Sequence, residues 1–288
     1  MSGKAEPATG RKIEMEVELD ATVEQVWKAL TDGEELKRWF PLEARVTPGV
    51  GGSIFLSWGA DCEGQAPISL WEPGKRFGWT EKLPFAAEGA EPPQLVIEWI
   101  IEKRGGKAVL RMVHSGFGAT AGSDWENEYF DSLNYGWTFM LTNLRHYFAR
   151  HAGTPRQVAW LRRKVGISRE EAFRRLAAPD GLFAGGPLAA LKPGVNYSLP
   201  TAVGDAYNGR VEFYVPPRGF CLSVAQLNDA LLWLTIEGAP GQHEVQLWLS
   251  AYSLPEARLA DFEKKWRAVL ERLLPETPPA APPATTPH

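Results

Sequence analysis

The chain is poor in the residues that covalent cross-links and metal centres need. Of its 288 residues only two are cysteines, Cys62 and Cys221, far apart and without CxxC spacing. A disulfide framework and a cysteine-held metal are therefore excluded, and a reducing, cytoplasmic setting is expected. No run of about 18 apolar residues is present to span a bilayer, and Met1 to Arg11 lacks the apolar stretch of a signal peptide. Positive charge is not in excess: 31 Lys and Arg against 35 Asp and Glu give a net charge of −4. That balance excludes a general polyanion binder, and nucleic acid with it. There is no His/Asp/Glu cluster at metal-ligand spacing, no GxSxG and no Cys/His nucleophile pattern. The loop Gly116 to Gly122 fits neither the dinucleotide fingerprint nor the P-loop, and Asp124 and Glu126 after it would repel an anion. No cofactor and no metal are expected.

What is present is apolar and aromatic mass. A hydrophobic fraction of 44% with 23% charged residues suits a globular chain with a sizeable core. The length fits one large domain or two ordinary ones. Twelve tryptophans stand out, and eight of them precede residue 140, which points to a large aromatic interior there.

Periodicity organises the first half. Ile13, Met15, Val17 and Leu19 alternate with Glu14, Glu16 and Glu18, the pattern of a half-buried strand. Thr22 and Gln25 form a capping box that opens a helix, and a second short helix runs from about Glu34 to Phe40, before Pro41. Strands are expected at Ser53–Trp58, Pro67–Glu72, Arg76–Lys82, Leu95–Lys103 and Lys107–Ser115, the last two joined by a hairpin at Gly105-Gly106. Ser123 and Glu126 open a long helix to about Arg150, whose stripe is Phe130, Leu133, Trp137, Leu141, Leu144 and Phe148. The layout is α+β, a curved antiparallel sheet around one long C-terminal helix.

The order then recurs. Ser168 and Glu171 repeat the capping box at an offset of 146, and Tyr214 to Phe220 repeats Trp71 to Phe77 at an offset of 143. Leu259, Phe262, Trp266, Leu270 and Leu273 repeat the helix stripe at an offset of 129. Two tandem copies of one fold are expected, an internal duplication with loop residues lost from the second. The boundaries are a flexible N-terminus over 1–10, copy one over 11–152, copy two over 156–274, and a proline-rich, disordered tail over 275–288. Arg156–Val165 suits a strand by its offset and a helix by its composition.

Several strings together carry a family resemblance: Ala21 to Leu30, Trp39-Phe40, Gly51-Gly52-Ser53-Ile54, Trp71 to Phe77, and Gly136-Trp137 with Leu141, Leu144 and Tyr147. The chain resembles the SRPBCC (START-like) superfamily, in the branch named for the C-terminal domain of the activator of heat-shock protein 90 ATPase. The resemblance is weaker over copy two, where Gly136-Trp137 becomes Lys265-Trp266. It implies a helix-grip fold in each copy, with a mainly hydrophobic cavity between sheet and helix. Relatives bind hydrophobic small molecules, a minority are cyclases or hydrolase-like enzymes, and some regulate chaperones.

Strand alternation assigns the residues facing such a cavity: Leu56, Trp58, Trp79, Ile97, Trp99, Met112 and His114, with Trp39, Phe40, Phe130, Asn134 and Trp137 from the helical segments. The plainer reading is that these side chains fill the core. His114 and Glu81 are the inward ionisable residues and the weak catalytic candidates, since an imidazole beside a buried carboxyl has the chemistry to move a proton. The plainer alternative is a structural histidine and a glutamate at a strand end facing water. Between Arg145 and Arg175 nine Lys and Arg face two acids; this stretch is either a solvated face or a contact for an acidic protein partner. Three functions follow: a non-catalytic binder of a small hydrophobic ligand, a regulator of a heat-shock-type chaperone ATPase, or a cofactor-free cyclase, lyase or hydrolase.

Overall fold

Alternation in Ile13–Leu19 builds the first strand, β1, with Ile13 and Leu19 buried and the three glutamates outside. The structure, a computed structural model, describes residues 10–59, 62–82, 93–118, 124–184, 188, 191–239 and 241–274, without the side chains of 124 and 125. The N-terminal residues 1–9, the Ser123 cap, Gly122 at the end of the glycine-rich loop and the tail after residue 274 lie outside them. Contacts divide the chain into two units, Met1–Arg156 and Gln157–His288.

In unit 1, Thr22 accepts from the Gln25 amide while the Gln25 side chain accepts from the Thr22 amide, so the capping box starts α1 (Val23–Thr31) as expected. Asp32 caps α2 (Gly33–Lys37) through the amides of Glu34 and Glu35. Six strands follow: β2 (Glu43–Thr47), β3 (Ser53–Ser57), β4 (Glu63–Glu72), β5 (Arg76–Lys82), β6 (Gln94–Arg104) and β7 (Lys107–Ser115). β2 is a strand that the sequence reading did not identify. Gly52 precedes β3 where a Cβ would stand 2.0 Å from the Thr47 carbonyl oxygen, so the β2–β3 turn closes only with glycine. The long helix α3 (Asp124–His146) passes into a π-helical turn, Tyr147–His151.

The seven strands lie antiparallel in the order β1-β7-β6-β5-β4-β3-β2. On the outer face, Arg111 pairs with Glu14 at 2.9 Å, Arg104 with Glu16 at 2.8 Å, and Lys107 with Glu18 at 2.9 Å. On the inner face one rung runs Ile13–His114–Ile97–Trp79–Ile68, and the next runs Met15–Met112–Trp99–Phe77.

Unit 2 repeats the order. Arg156–Val165 is a strand, β8, which resolves its ambiguity in favour of the offset. Helix α4 (Arg169–Leu176) is capped by Ser168, which accepts from the Glu171 amide; the Glu171 carboxylate is held by Arg174 and Arg175 at 2.7 Å each. Then come β9 (Asn196–Pro200), β10 (Ala206–Val215), β11 (Gly219–Val224), β12 (Ala230–Glu237), β13 (His243–Tyr252) and the long helix α5 (Glu256–Leu273). The sheet order is β8-β13-β12-β11-β10-β9. In both sheets the first strand joins the last, and the others follow in reverse order.

Two features of register tie the copies together. Trp71 pairs with Phe77, and Tyr214 pairs with Phe220. Register breaks between Ile68 and Leu70 in β4 and between Val211 and Phe213 in β10. The offset is the same for both residues, 211 − 68 = 143 and 213 − 70 = 143. A bulge bends a strand and raises its twist, which helps a flat sheet curl around a helix.

Candidate functional site

The aromatic residues assigned to the interior of unit 1 do come together. Trp39 at the end of α2 stacks on Phe40 at 5.0 Å and meets Trp99 of β6 edge-on at 6.0 Å. Phe40 stacks on Trp137 of α3 at 5.3 Å and meets Trp58 at 5.1 Å. Trp99 meets Trp137 at 5.5 Å and Trp79 at 6.5 Å. Trp39, Phe40, Trp79, Ile97, Trp99, Met112 and Trp137 are buried, Leu56 is at the margin of burial, and Trp58 and Phe130 are half-buried. These rings pack on one another, so the space between sheet and helix is largely occupied by side chains. Beside it, an open groove of about 350 Å³ lies between β1 and α3, lined by Met15, Val17, Leu141 and Thr142 among others.

Asn134 departs from expectation: it is exposed. Three residues along a helix turn it by about 300°, which leaves Asn134 about 60° away from Trp137 around the axis. It does not face the aromatic interior.

The indole N–H groups are mostly satisfied. Trp39 Nε1 donates to the Ala29 carbonyl at 2.9 Å, and Trp137 Nε1 donates to His114 Nδ1 at 3.1 Å. Trp79 hydrogen-bonds to the Glu81 carboxylate. Asn143 on α3 fixes the start of the Trp39-Phe40 turn by donating to the Trp39 carbonyl at 2.6 Å.

His114 and Glu81 lie on the same face of the sheet, and the Glu81 Oε1 stands 3.7 Å from His114 Nε2. The sequence offered no sign of this contact, because it joins β5 to β7 across β6. His114 is 1% exposed and Glu81 37%. Burial pushes the His114 pKa down to about 4, so the ring is neutral near pH 7. Burial raises the Glu81 carboxyl, against the hydrogen bond from Trp79. An indole nitrogen only donates, so the bond from Trp137 requires Nδ1 of His114 to be the bare nitrogen and puts the proton on Nε2. Among the described residues, that proton has no hydrogen-bond acceptor within reach.

Two further residues, missed in the sequence, join this end of the interior. Burial and the charges of Glu81 and Cys62 push the Tyr129 hydroxyl pKa up, which sets all three near one another. Phe117 meets His114 at 4.8 Å and Phe130 at 5.0 Å. Tyr129 precedes the Phe130 stripe by one residue, and no pattern in the sequence marks it.

The interior of unit 2 is built differently. The inward residues of β12 and β13 are Leu232, Leu234 and Ile236 with Val245, Leu247, Leu249 and Ala251, so neither the tryptophan nor the histidine of β6 and β7 has a counterpart there. Trp266 on α5 donates to the Tyr207 hydroxyl at 3.3 Å. Within the basic stretch, Arg162 pairs with Glu244 at 3.0 Å, Arg163 donates to the Leu274 carbonyl, and Arg169 donates to the Ile236 carbonyl at 2.9 Å. Each of these ties is internal to unit 2.

Among the described residues no cluster of His, Cys, Asp or Glu is arranged to hold a metal, and no helix is long and apolar enough to cross a membrane.

Residues 20–149 match the family described as Activator of Hsp90 ATPase homolog 1-like protein. No match is found among curated proteins. Among solved structures, protein MLL2253 from Mesorhizobium loti shares 22% identity over 49% of this chain and 98% of its own, with a TM-score of 0.42. The Aha1 dimer from Colwellia psychrerythraea shares 19% over 50% of this chain and 99% of its own, with a TM-score of 0.42. The di-domain ARO/CYC BexL from the BE-7585A biosynthetic pathway shares 12% over 91% of this chain and 94% of its own, with a TM-score of 0.42. The family match lies within unit 1, so it is the first unit that is similar to the Activator of Hsp90 ATPase homolog 1-like proteins.

Proposed function

We propose that unit 1 binds a small hydrophobic molecule at the His114 end of its aromatic interior and does not transform it. The observation that carries this reading is the meeting of an apolar, tryptophan-rich wall with a buried N–H donor and a carboxyl group at one end. Apolar walls with a few orienting polar groups are the common make-up of small-molecule sites. Ligand entry at this end displaces aromatic side chains rather than filling a ready space. Native mass spectrometry of freshly purified protein tests the reading. A co-purified small molecule released on unfolding supports it; its absence, together with no quenching of tryptophan fluorescence by apolar aromatic probes, overturns it.

The 3.7 Å separation of His114 and Glu81 favours a second reading, proton transfer in a cyclase, lyase or hydrolase reaction. Against it stands the engagement of Nδ1, the bare nitrogen a general base needs, with Trp137. The family description suggests a third, regulation of a chaperone ATPase. A pull-down that enriches no chaperone, with ATPase rates unchanged, rejects that one.

A further inference from the structure

Resting on that reading, we propose that the ligand of unit 1 carries a hydroxyl group at the end of its apolar body, and that this hydroxyl bridges His114 Nε2 and the Glu81 carboxyl. The Trp137-to-His114 bond fixes a proton on Nε2, which is buried and has no hydrogen-bond acceptor among the described residues. Glu81 Oε1 is 3.7 Å away, beyond the reach of a direct hydrogen bond. A buried donor without a partner is unfavourable, and the gap faces an acceptor on its far side. One hydroxyl bridges both groups: its oxygen accepts a hydrogen bond from Nε2–H and its O–H donates one to the Glu81 carboxyl.

Other groups fit less well. A ketone or ether oxygen accepts from His114 but turns its lone pairs on the carboxylate. A cation pairs with Glu81 but faces the N–H dipole of His114. The rings beside the pair, Trp79 on the Glu81 side and Phe117 and Trp137 around His114, suit an apolar body. A lone water molecule has the same bridging chemistry, so the test must separate water from ligand.

The experiment uses the full chain and three probes of one shape: naphthalene, 2-naphthol and 2-methoxynaphthalene. Affinity is read by calorimetry, and the Nε2-bound proton of His114 by NMR. 2-Naphthol is expected to bind about tenfold tighter than naphthalene, with 2-methoxynaphthalene no tighter than naphthalene. In Glu81→Ala, 2-naphthol is expected to bind no tighter than naphthalene does to the same variant. The His114 proton is expected to shift on adding 2-naphthol and to hold still with naphthalene.

Equal binding of naphthalene and 2-naphthol overturns the hydroxyl proposal, leaves the ligand-binding reading standing and assigns the gap to water. Equal binding of 2-naphthol and its methyl ether overturns it as well, since the ether cannot donate. Binding of 2-naphthol with an unmoved His114 proton places the probe elsewhere and overturns it. Failure of all three probes to bind overturns the ligand-binding reading together with the proposal.

Discussion

Trp137 of α3 donates its indole N–H to Nδ1 of His114 on β7 across 3.1 Å, and this one bond fixes the histidine's tautomer. A helix and a sheet are joined there by a polar contact inside an aromatic core. Trp137→Phe removes the donor and leaves Nδ1 buried without a partner. The expected loss is about 2 kcal/mol or more of stability, with a second His114 tautomer appearing in the ¹⁵N spectrum. A variant that retains a single Nε2-protonated tautomer would show that Trp137 does not set it.

Acid should weaken unit 1 through His114. Its pKa is about 4 in the fold against an ordinary 6.5, so below pH 6.5 the unfolded chain takes up a proton that the native one refuses. The stability present above pH 6.5 is therefore lost as pH falls from 6.5 towards 4, by about 3 kcal/mol at most. Glu81, raised by burial, works in the opposite direction. His114→Gln should flatten the dependence in this window. Equal slopes for the two proteins in urea melts at pH 6.5 and 4.5 would contradict this.

Trp99 is 1% exposed and touches three other tryptophans, Trp39, Trp79 and Trp137. Trp99→Leu imitates the leucines of β12. Without the remodelled neighbours of unit 2 the change should leave a void and cost about 3–4 kcal/mol. A loss below about 1 kcal/mol in denaturant unfolding would mean that the interior re-packs freely.

The two caps differ in a measurable way. Thr22→Ala removes one half of a reciprocal box, whereas Ser168→Ala removes a single bond, because Glu171 is already held by two arginines. Both should cost about 1 kcal/mol, the first more than the second. The reverse order in urea titrations would refute the argument.

Elements with strict periods were legible. Ile13–Leu19, Arg76–Lys82 and Lys107–Ser115 follow alternation, and Thr22 with Gln25 announces its helix. β2 escaped because Glu43-Ala-Arg-Val-Thr47 is short and mostly exposed, with a single buried position, Ala44. The aromatic wall was legible as a set, since each member sits on an inward register. The polar end was not: the nearness of His114 to Glu81 depends on pairings through β6, and Tyr129 enters through the pitch of α3. Asn134 failed because a helix stripe has margins that its spacing does not reveal.

The ladder of Glu14, Glu16 and Glu18 on β1 does more than face water. β1 is the terminal strand of its sheet, and its glutamates are held by Lys12 just before the strand and by Arg104, Lys107 and Arg111 of β6 and β7. A second molecule adding its own β1 antiparallel to this rim would bring two rows of three glutamates side by side, with only Lys12 of each strand to offset them. The same charges that register the strand inside one molecule thus discourage fibril-like growth from one molecule to the next.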